Sequence, residues 1–463
     1  MMDRSGTPIT RRAHGRMGSP GFAIFLACLS PMRVMVFTWL LATAVYLYVS
    51  SNHVGYTYLE YLIFAENSFD HSTGFSLLFL CIQLLFFWGG TAMVRGSPST
   101  RPLAPASGGP APFNVAPLVR LTLFTAVIAS LWIGGAIVQV GGPGQLVALA
   151  ASDNITARDI LRGASFPGGR LLTYGFIGLA TVGAAYVVRV ERPKQRAVLL
   201  AVMFVSFAFL AVLPIFVAGR ITFVVACIGA FLAACLSARR FIGLKYVVVG
   251  AAVIVVVWTA KQYFTLGHID AASGVTAGEQ AYQGALFYFY NDMLNALNAV
   301  EMTRGDHTYG WFSLRFIFFM TFTDNLFLDL IRSSRQGLGQ WMSAGEVPLL
   351  SGVYVDFWWF GSFLLVVFGI VSQLAYVKCT SSAASAAAYS LVFSGLLMST
   401  HSGFLTSQEL AYNFILIFVS ARLCERPKKR SPRQLTQRHF VPADTAELTL
   451  AGRAPNPSLG RSR

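Results

Sequence analysis

Long blocks of apolar residues recur along the chain, among them 221–237 (ITFVVACIGAFLAACLS) and 246–260 (YVVVGAAVIVVVWTA). A helix or strand facing water alternates apolar with polar positions at a period of 3.6 or 2.0 residues. These blocks do not alternate, so every face of such an element is apolar and lipid is the solvent that suits it. Inside a bilayer each backbone N–H and C=O has to be satisfied within the protein. With no strand-like alternation, the helix is the element that remains. The predicted fold class is therefore an all-α polytopic membrane protein. Charged residues make up 12% of the 463-residue chain, about half the share of a soluble domain, and 38 phenylalanines suit lipid-facing surfaces.

The formal net charge of +15 would point to nucleic acid on a soluble protein. Here much of the positive charge sits in the two tails and in short loops, which is how a chain retains its inner side, and no nucleic-acid partner is expected. On this criterion about ten spans are predicted, near 33–49, 74–94, 118–140, 171–189, 197–218, 221–237, 246–262, 353–377, 384–400 and 409–423. Both termini then fall in the cytoplasm. Residues 1–20 and 424–463 read as basic tails, 1–20 as disordered, and 21–423 as the membrane domain. The loop 145–170 is expected outside with a short helix. The turn from His401 to Gln408 is expected at the outer surface. The loop 263–352 is the longest and falls on the outer side. A ninety-residue loop in a membrane domain is usually functional, and this one is expected to hold helices lying at the interface or re-entering between spans, with 309–322 too short and too charged to span.

The six cysteines lie in or beside apolar segments, which gives neither a disulfide framework nor metal-ligand spacing, and no cofactor is expected. No cleavable signal peptide is read at the N-terminus. Absence of an internal repeat argues against a transporter.

Arginines on the outer side carry the functional argument, because topology does not attract them there. Arg220 stands between apolar runs at the outer edge of two spans, where an ionised group is a functional candidate or a snorkelling headgroup contact. Arg158 and Arg162 are four apart and share a helix face, and Arg170 follows the bend at Pro167-Gly168-Gly169. Arg315 lies within an apolar run of the long loop, beside Arg304, Arg332 and Arg335. His307 is the candidate proton acceptor of that loop, since histidine is the residue type that can accept or donate a proton in neutral solution, with His268 and His401 behind it. Tyr354 and Asp356 stand at the entrance of the eighth span. An aspartate near lipid needs a cation or water, and pairing with an outer arginine is the expected solution.

The Gly219-Arg220 pair opening a span, the late outer loop, and Tyr354-x-Asp356-Phe357 followed by Gly361 resemble the Wzy-type O-antigen or oligosaccharide repeat-unit polymerases over roughly residues 33–423. The family's segment carries glycine where this chain has Trp358. The resemblance implies a GT-C-like glycosyltransferase of the bacterial inner membrane. It would join undecaprenyl-diphosphate-linked oligosaccharide donor and acceptor at the periplasmic face without a metal, alongside a flippase and a chain-length regulator. Carried over by position, it implies Arg220 as the first contact to diphosphate or glycan, Asp356 and Tyr354 as its supports, and Arg158, Arg170 and Arg315 as further contacts. Residue chemistry, apart from the resemblance, adds His307 as the candidate general base and Arg162 as a substrate contact on the face of Arg158. Guanidinium groups bind phosphate oxygens bidentately and stabilise a diphosphate leaving group as its charge grows. An O-antigen ligase, a lipid-linked oligosaccharide flippase and a non-catalytic scaffold are the alternatives.

Overall fold

The computed structural model describes residues 20–52, 57–65, 70–95, 113–152, 160, 169–216, 220–266, 276–303, 307–321, 323 and 347–425. The described elements are helices and short turns. In chain order they are α1 (Pro20–Cys28), α2 (Pro31–Asn52), α3 (Thr57–Ala65), α4 (Gly74–Arg95), α5 (Ala116–Gln139), α6 (Pro143–Ser152), α7 (Gly169–Thr173) and α8 (Gly175–Val187). There follow α9 (Pro193–Phe216), α10 (Arg220–Ala238), α11 (Leu244–Leu266), α12 (Ala277–Met302) and α13 (Arg315–Met320). The last four are α14 (Leu349–Phe357), α15 (Gly361–Lys378), α16 (Ala383–Leu397) and α17 (Gln408–Cys424).

Among the described residues, six helical runs are long and apolar enough to cross a bilayer: Pro31–Asn52, Gly74–Arg95, Ala116–Gln139, Pro193–Val212, Ile221–Ala238 and Leu349–Lys378. Shorter apolar helical stretches, Leu171–Val187, Leu244–Val253 and Ala383–Leu397, stand at three of the other predicted positions, and α17 stands at the fourth, 409–423. The chain is an all-α polytopic membrane protein.

Basic side chains define one end of the bundle. Arg239 Nη2 donates to Thr380 O (2.9 Å), Arg95 Nη2 to Ser30 Oγ (3.2 Å) and Arg189 Nε to Ser237 O (3.4 Å). At the same end Asn114 N–H donates to Cys424 O (2.9 Å), so the last residue of α17 is tied to the segment entering α5.

Helix α16 is the wall between two apolar cores. Ala386, Tyr389, Val392 and Leu396 face the core built with α2, α4, α12, α14 and α15. Ala383, Ala387 and Leu391 face the core built with α5, α8, α9, α10 and α17. The two sets follow helical spacing on opposite faces. The many small residues of AASAAAYS let neighbouring backbones approach closely, the usual means of holding helices together where no water drives them. Ser390 and Ser394 return their hydroxyls to the carbonyls four residues back (2.7 and 2.9 Å), so burying them leaves no donor unmet.

Two features depart from the hydropathy pattern. First, α16 and α17 have 15 and 17 residues, about 22 and 25 Å, short of the roughly 30 Å hydrocarbon thickness. The 398–407 turn between them is therefore not an outer surface turn. It sits within the helices: Ser399 Oγ accepts from Trp39 Nε1 (3.0 Å), thirteen residues short of the far end of α2. Second, the apolar run 349–378 is broken. At Trp358 the backbone takes φ 54° and ψ −139°, a conformation that favours glycine, and a single 3-10 turn separates α14 from α15.

The 263–352 stretch holds more regular structure than an interfacial loop. Its main element is the 26-residue α12, opened by a capping box in which the Thr276 hydroxyl accepts from Glu279 N–H while the Glu279 carboxylate accepts from Thr276 N–H. Helix α12 passes across the far ends of α2 and α4. Tyr290 stacks on Tyr46 at 5.7 Å, and Glu301 reaches Ser76 in the first turn of α4. Residues 309–321 form turns and the six-residue α13.

Candidate functional site

The end away from the basic cluster carries a cleft of about 490 Å³ lined by Phe75, Glu301, Thr303, His307, Tyr354 and Trp358. Its position follows from the break in the 349–378 run. Helix α14 climbs to Phe357, the chain reverses at Trp358, and α15 descends beside α4. The reversal is tight: a Cβ on Gly361 would lie 2.0 Å from Val353 O, so only glycine permits this approach. Tyr354 and Trp359 each pack a ring on Phe79 (4.6 and 5.1 Å between centroids), which fixes the rim.

His307 and Tyr354, both expected from the sequence, meet in this cleft. His307 Nδ1 is 3.2 Å from Val355 O. A carbonyl can only accept, so Nδ1 carries the proton and Nε2 is the basic nitrogen. Glu301 stands on the last turn of α12. Its Oε1 accepts from the Thr73 hydroxyl and from Ser76 N–H (3.2 Å), so the carboxylate anchors the start of α4 as well as lining the cleft.

Asp356 is 1% exposed, and its described partners are neutral. The Thr308 hydroxyl, Phe312 N–H (3.1 Å to each oxygen) and Ser313 N–H (2.5 Å) all donate to it. Among the described residues, one hydroxyl and two backbone N–H groups satisfy this buried carboxylate, and the outer arginines expected to pair with it have no described side chains. Asp356 thus holds the 308–313 turn that presents His307.

Beneath the cleft lies a second ionisable pair. His401 Nδ1 and Asp292 Oδ1 are 2.7 Å apart, and Asp292 is 6% exposed. Burial pushes the Asp292 carboxyl above the usual range, and the neighbouring His401 draws it back. Asp292 belongs to a polar stripe on α12 with Asn291, Asn295 and Asn298, all buried. Asn298 Oδ1 accepts from His71 N–H (2.9 Å), and Gln283 Oε1 accepts from Leu59 N–H (3.0 Å). Neither Glu301 nor Asp292 was singled out as a site residue by the sequence argument. The signal was the spacing of the amides at 291, 295 and 298, an i, i+4, i+7 stripe within an aromatic segment.

Of the arginines, Arg158 and Arg162 lie outside the described residues. Arg170, Arg220 and Arg315 have described backbone only, each in the first turn of a helix. Helices α7 and α13, which begin at Gly169 and Arg315, both contact α17 near the 398–407 turn. Gly229 of α10 faces Leu391 and Ser394 of α16, so Arg220, nine residues or about 13 Å further along α10, stands toward the end away from the basic cluster.

Fold and site together define a polytopic helical membrane protein with a histidine- and carboxylate-bearing cleft at the end away from its basic cluster. The chain matches no family model, no curated protein and no solved structure with which it was compared.

Proposed function

We propose that the protein is a membrane glycosyltransferase that polymerises undecaprenyl-diphosphate-linked oligosaccharide repeat units at the periplasmic face of a bacterial inner membrane, with both termini in the cytoplasm. The observation that carries this reading is His307, its tautomer set by Val355 O, in a cleft shared with Glu301, Tyr354 and Trp358. Its volume lies in the range of small-ligand sites. Exposed Trp358 and Phe75 offer faces for the apolar side of a sugar ring, and Glu301 an acceptor for its hydroxyls.

In the proposed reaction the acceptor hydroxyl gives its proton to His307 Nε2 as its oxygen bonds to the donor's anomeric carbon. The bond from that carbon to the diphosphate oxygen breaks, and polyprenyl diphosphate leaves with its electron pair. Arg170, Arg220 and Arg315, each at a helix start, are assigned to the developing phosphate charge. Asp356 is assigned as a positioning residue for the His307 turn.

The test is complementation of a deletion strain with His307→Ala and Glu301→Gln, at matched protein abundance, followed by glycan gels. Loss of the polymer with single repeat units still attached supports the proposal. Full-length polymer held on its lipid carrier makes the protein a ligase, and an undiminished ladder from both variants refutes glycan transfer at this cleft. The interrupted helices are also a transporter trait. That reading predicts lipid-linked units trapped on the cytoplasmic side.

A further inference from the structure

A second cavity, of about 390 Å³, opens at the basic end between α1, α2, α4 and α15. Arg33 and Arg95 line it, with Ser30, Gln373 and Tyr376. Arg33 Nη1 donates to Ala27 O (3.0 Å) and Arg95 Nη2 to Ser30 Oγ (3.2 Å), which uses two of their ten N–H donors. Among the described residues no carboxylate lines the cavity. The two cations therefore share a recess that no described acid compensates. Gln373 lies 3% exposed on its wall, and its Oε1 has no hydrogen-bond partner among the described residues. A buried carbonyl oxygen without a donor is costly, and native proteins seldom leave one so.

We propose that this recess binds an anionic phospholipid headgroup: a phosphodiester held by Arg33 and Arg95 that also carries a hydroxyl to donate to Gln373. The glycerol headgroup of phosphatidylglycerol has that chemistry. Three observations select a lipid over a soluble phosphate. The recess sits at the termini of three membrane-spanning helices, with Gln373 five residues, about 7 Å, inside the end of α15. The framing helices carry outward apolar side chains next to it, namely Met93 on α4 and Val371 and Leu374 on α15, for acyl chains to follow. The basic end is also where anionic lipid accumulates against arginine.

The experiment uses the full chain in detergent micelles, with bound lipid counted by native mass spectrometry and protection read as the melting midpoint. The probes are phosphatidylglycerol, phosphatidylethanol (the same charge with no hydroxyl), phosphatidylcholine and inorganic phosphate. Wild type is expected to retain phosphatidylglycerol over phosphatidylethanol, and both over phosphatidylcholine. Arg33→Gln and Arg95→Gln each weaken retention of both anionic lipids about fivefold. Gln373→Leu abolishes the preference for phosphatidylglycerol and leaves phosphatidylethanol retention unchanged. Variants are compared at a wild-type midpoint in phosphatidylcholine, and Arg33→Lys, which keeps the charge, retains more lipid than Arg33→Gln. Equal retention of all three lipids, or arginine variants that bind as wild type does, overturns the proposal. Protection by inorganic phosphate equal to that by phosphatidylglycerol overturns the lipid assignment.

Discussion

Replacing His401 with phenylalanine keeps a ring of similar size and leaves the buried Asp292 carboxylate without the imidazole 2.7 Å away. Removing one member of a buried pair costs about 3–5 kcal/mol, most of it the penalty of the orphaned charge. Asp292 escapes part of that by taking up a proton. For an aspartate with an ordinary pKa near 3.9, protonation costs about 1.36 kcal/mol per pH unit above that value, so the penalty is capped at about 4 kcal/mol at pH 7 and about 1.5 kcal/mol at pH 5. The sign follows from the direction of the shift. The folded pKa of Asp292 is raised, so its contribution to stability is fully present below the unfolded pKa and is lost as pH rises through the folded value. The comparison is between His401→Phe and His401→Phe with Asp292→Asn, both of which lack the imidazole. Denaturant unfolding in micelles, followed by tryptophan fluorescence, should show the double variant gaining on the single one as pH rises from 5 to 7, with a ceiling of about 2.7 kcal/mol. A gap that stays constant over that interval would mean that Asp292 is solvated, and the argument for a buried pair would fail.

Other variants test the packing around the cleft. Helices α4 and α15 meet at glycine: a Cβ on Gly90 would lie 2.1 Å from Val366 O, and one on Gly369 2.3 Å from Phe87 O. Gly90→Ala and Gly369→Ala should each destabilise by about 1–3 kcal/mol, with a double variant costing less than the two separately because one displacement relieves both; additive melting shifts would contradict a shared seam. Asp356→Ala removes the acceptor for three donors of the 308–313 turn and should cost about 3 kcal/mol while exposing that turn to limited proteolysis; protease resistance equal to wild type would remove its anchoring role. Trp358→Gly relieves a positive φ worth about 1–2 kcal/mol and should leave the melting midpoint nearly unchanged while raising the apparent KM for acceptor glycan. An unchanged KM would take Trp358 out of the site.

The positions of the helices were legible because lipid imposes one demand on every spanning segment. Each of the ten apolar stretches, from 33–49 to 409–423, overlaps described helix. Interruptions were not legible, since apolarity says nothing of backbone direction. Residues 353–377 read as one span, yet the chain reverses at Trp358, a residue with no reputation as a breaker. Likewise 384–400 is apolar to its end although α16 stops at Leu397. His307 and Tyr354 were found because each is chemically conspicuous. Asp292 was overlooked as one acid among many in a long loop. Its importance comes from a partner 109 residues away, a distance no local pattern spans.

The interruptions meet several of one another's backbone polar groups. Leu349 N–H donates to Ser399 O (2.9 Å), and Gly403 N–H to Val347 O (3.1 Å). Thr406 donates its hydroxyl to Phe312 O (3.0 Å), and Thr308 N–H donates to Val355 O (3.1 Å). Each break thus meets the unpaired groups of another, which is the condition for irregular backbone at membrane depth. The consequence is mechanical. The 398–407 turn grips the first residue of α14, and the last turn of α14 grips His307 through Val355 O and the 308–313 turn through Asp356. A helix of nine residues, about 13 Å, is a stiff link over that distance. The turn that carries His401 and the turn that presents His307 are thus joined through α14, although the two imidazoles belong to separate hydrogen-bonded pairs.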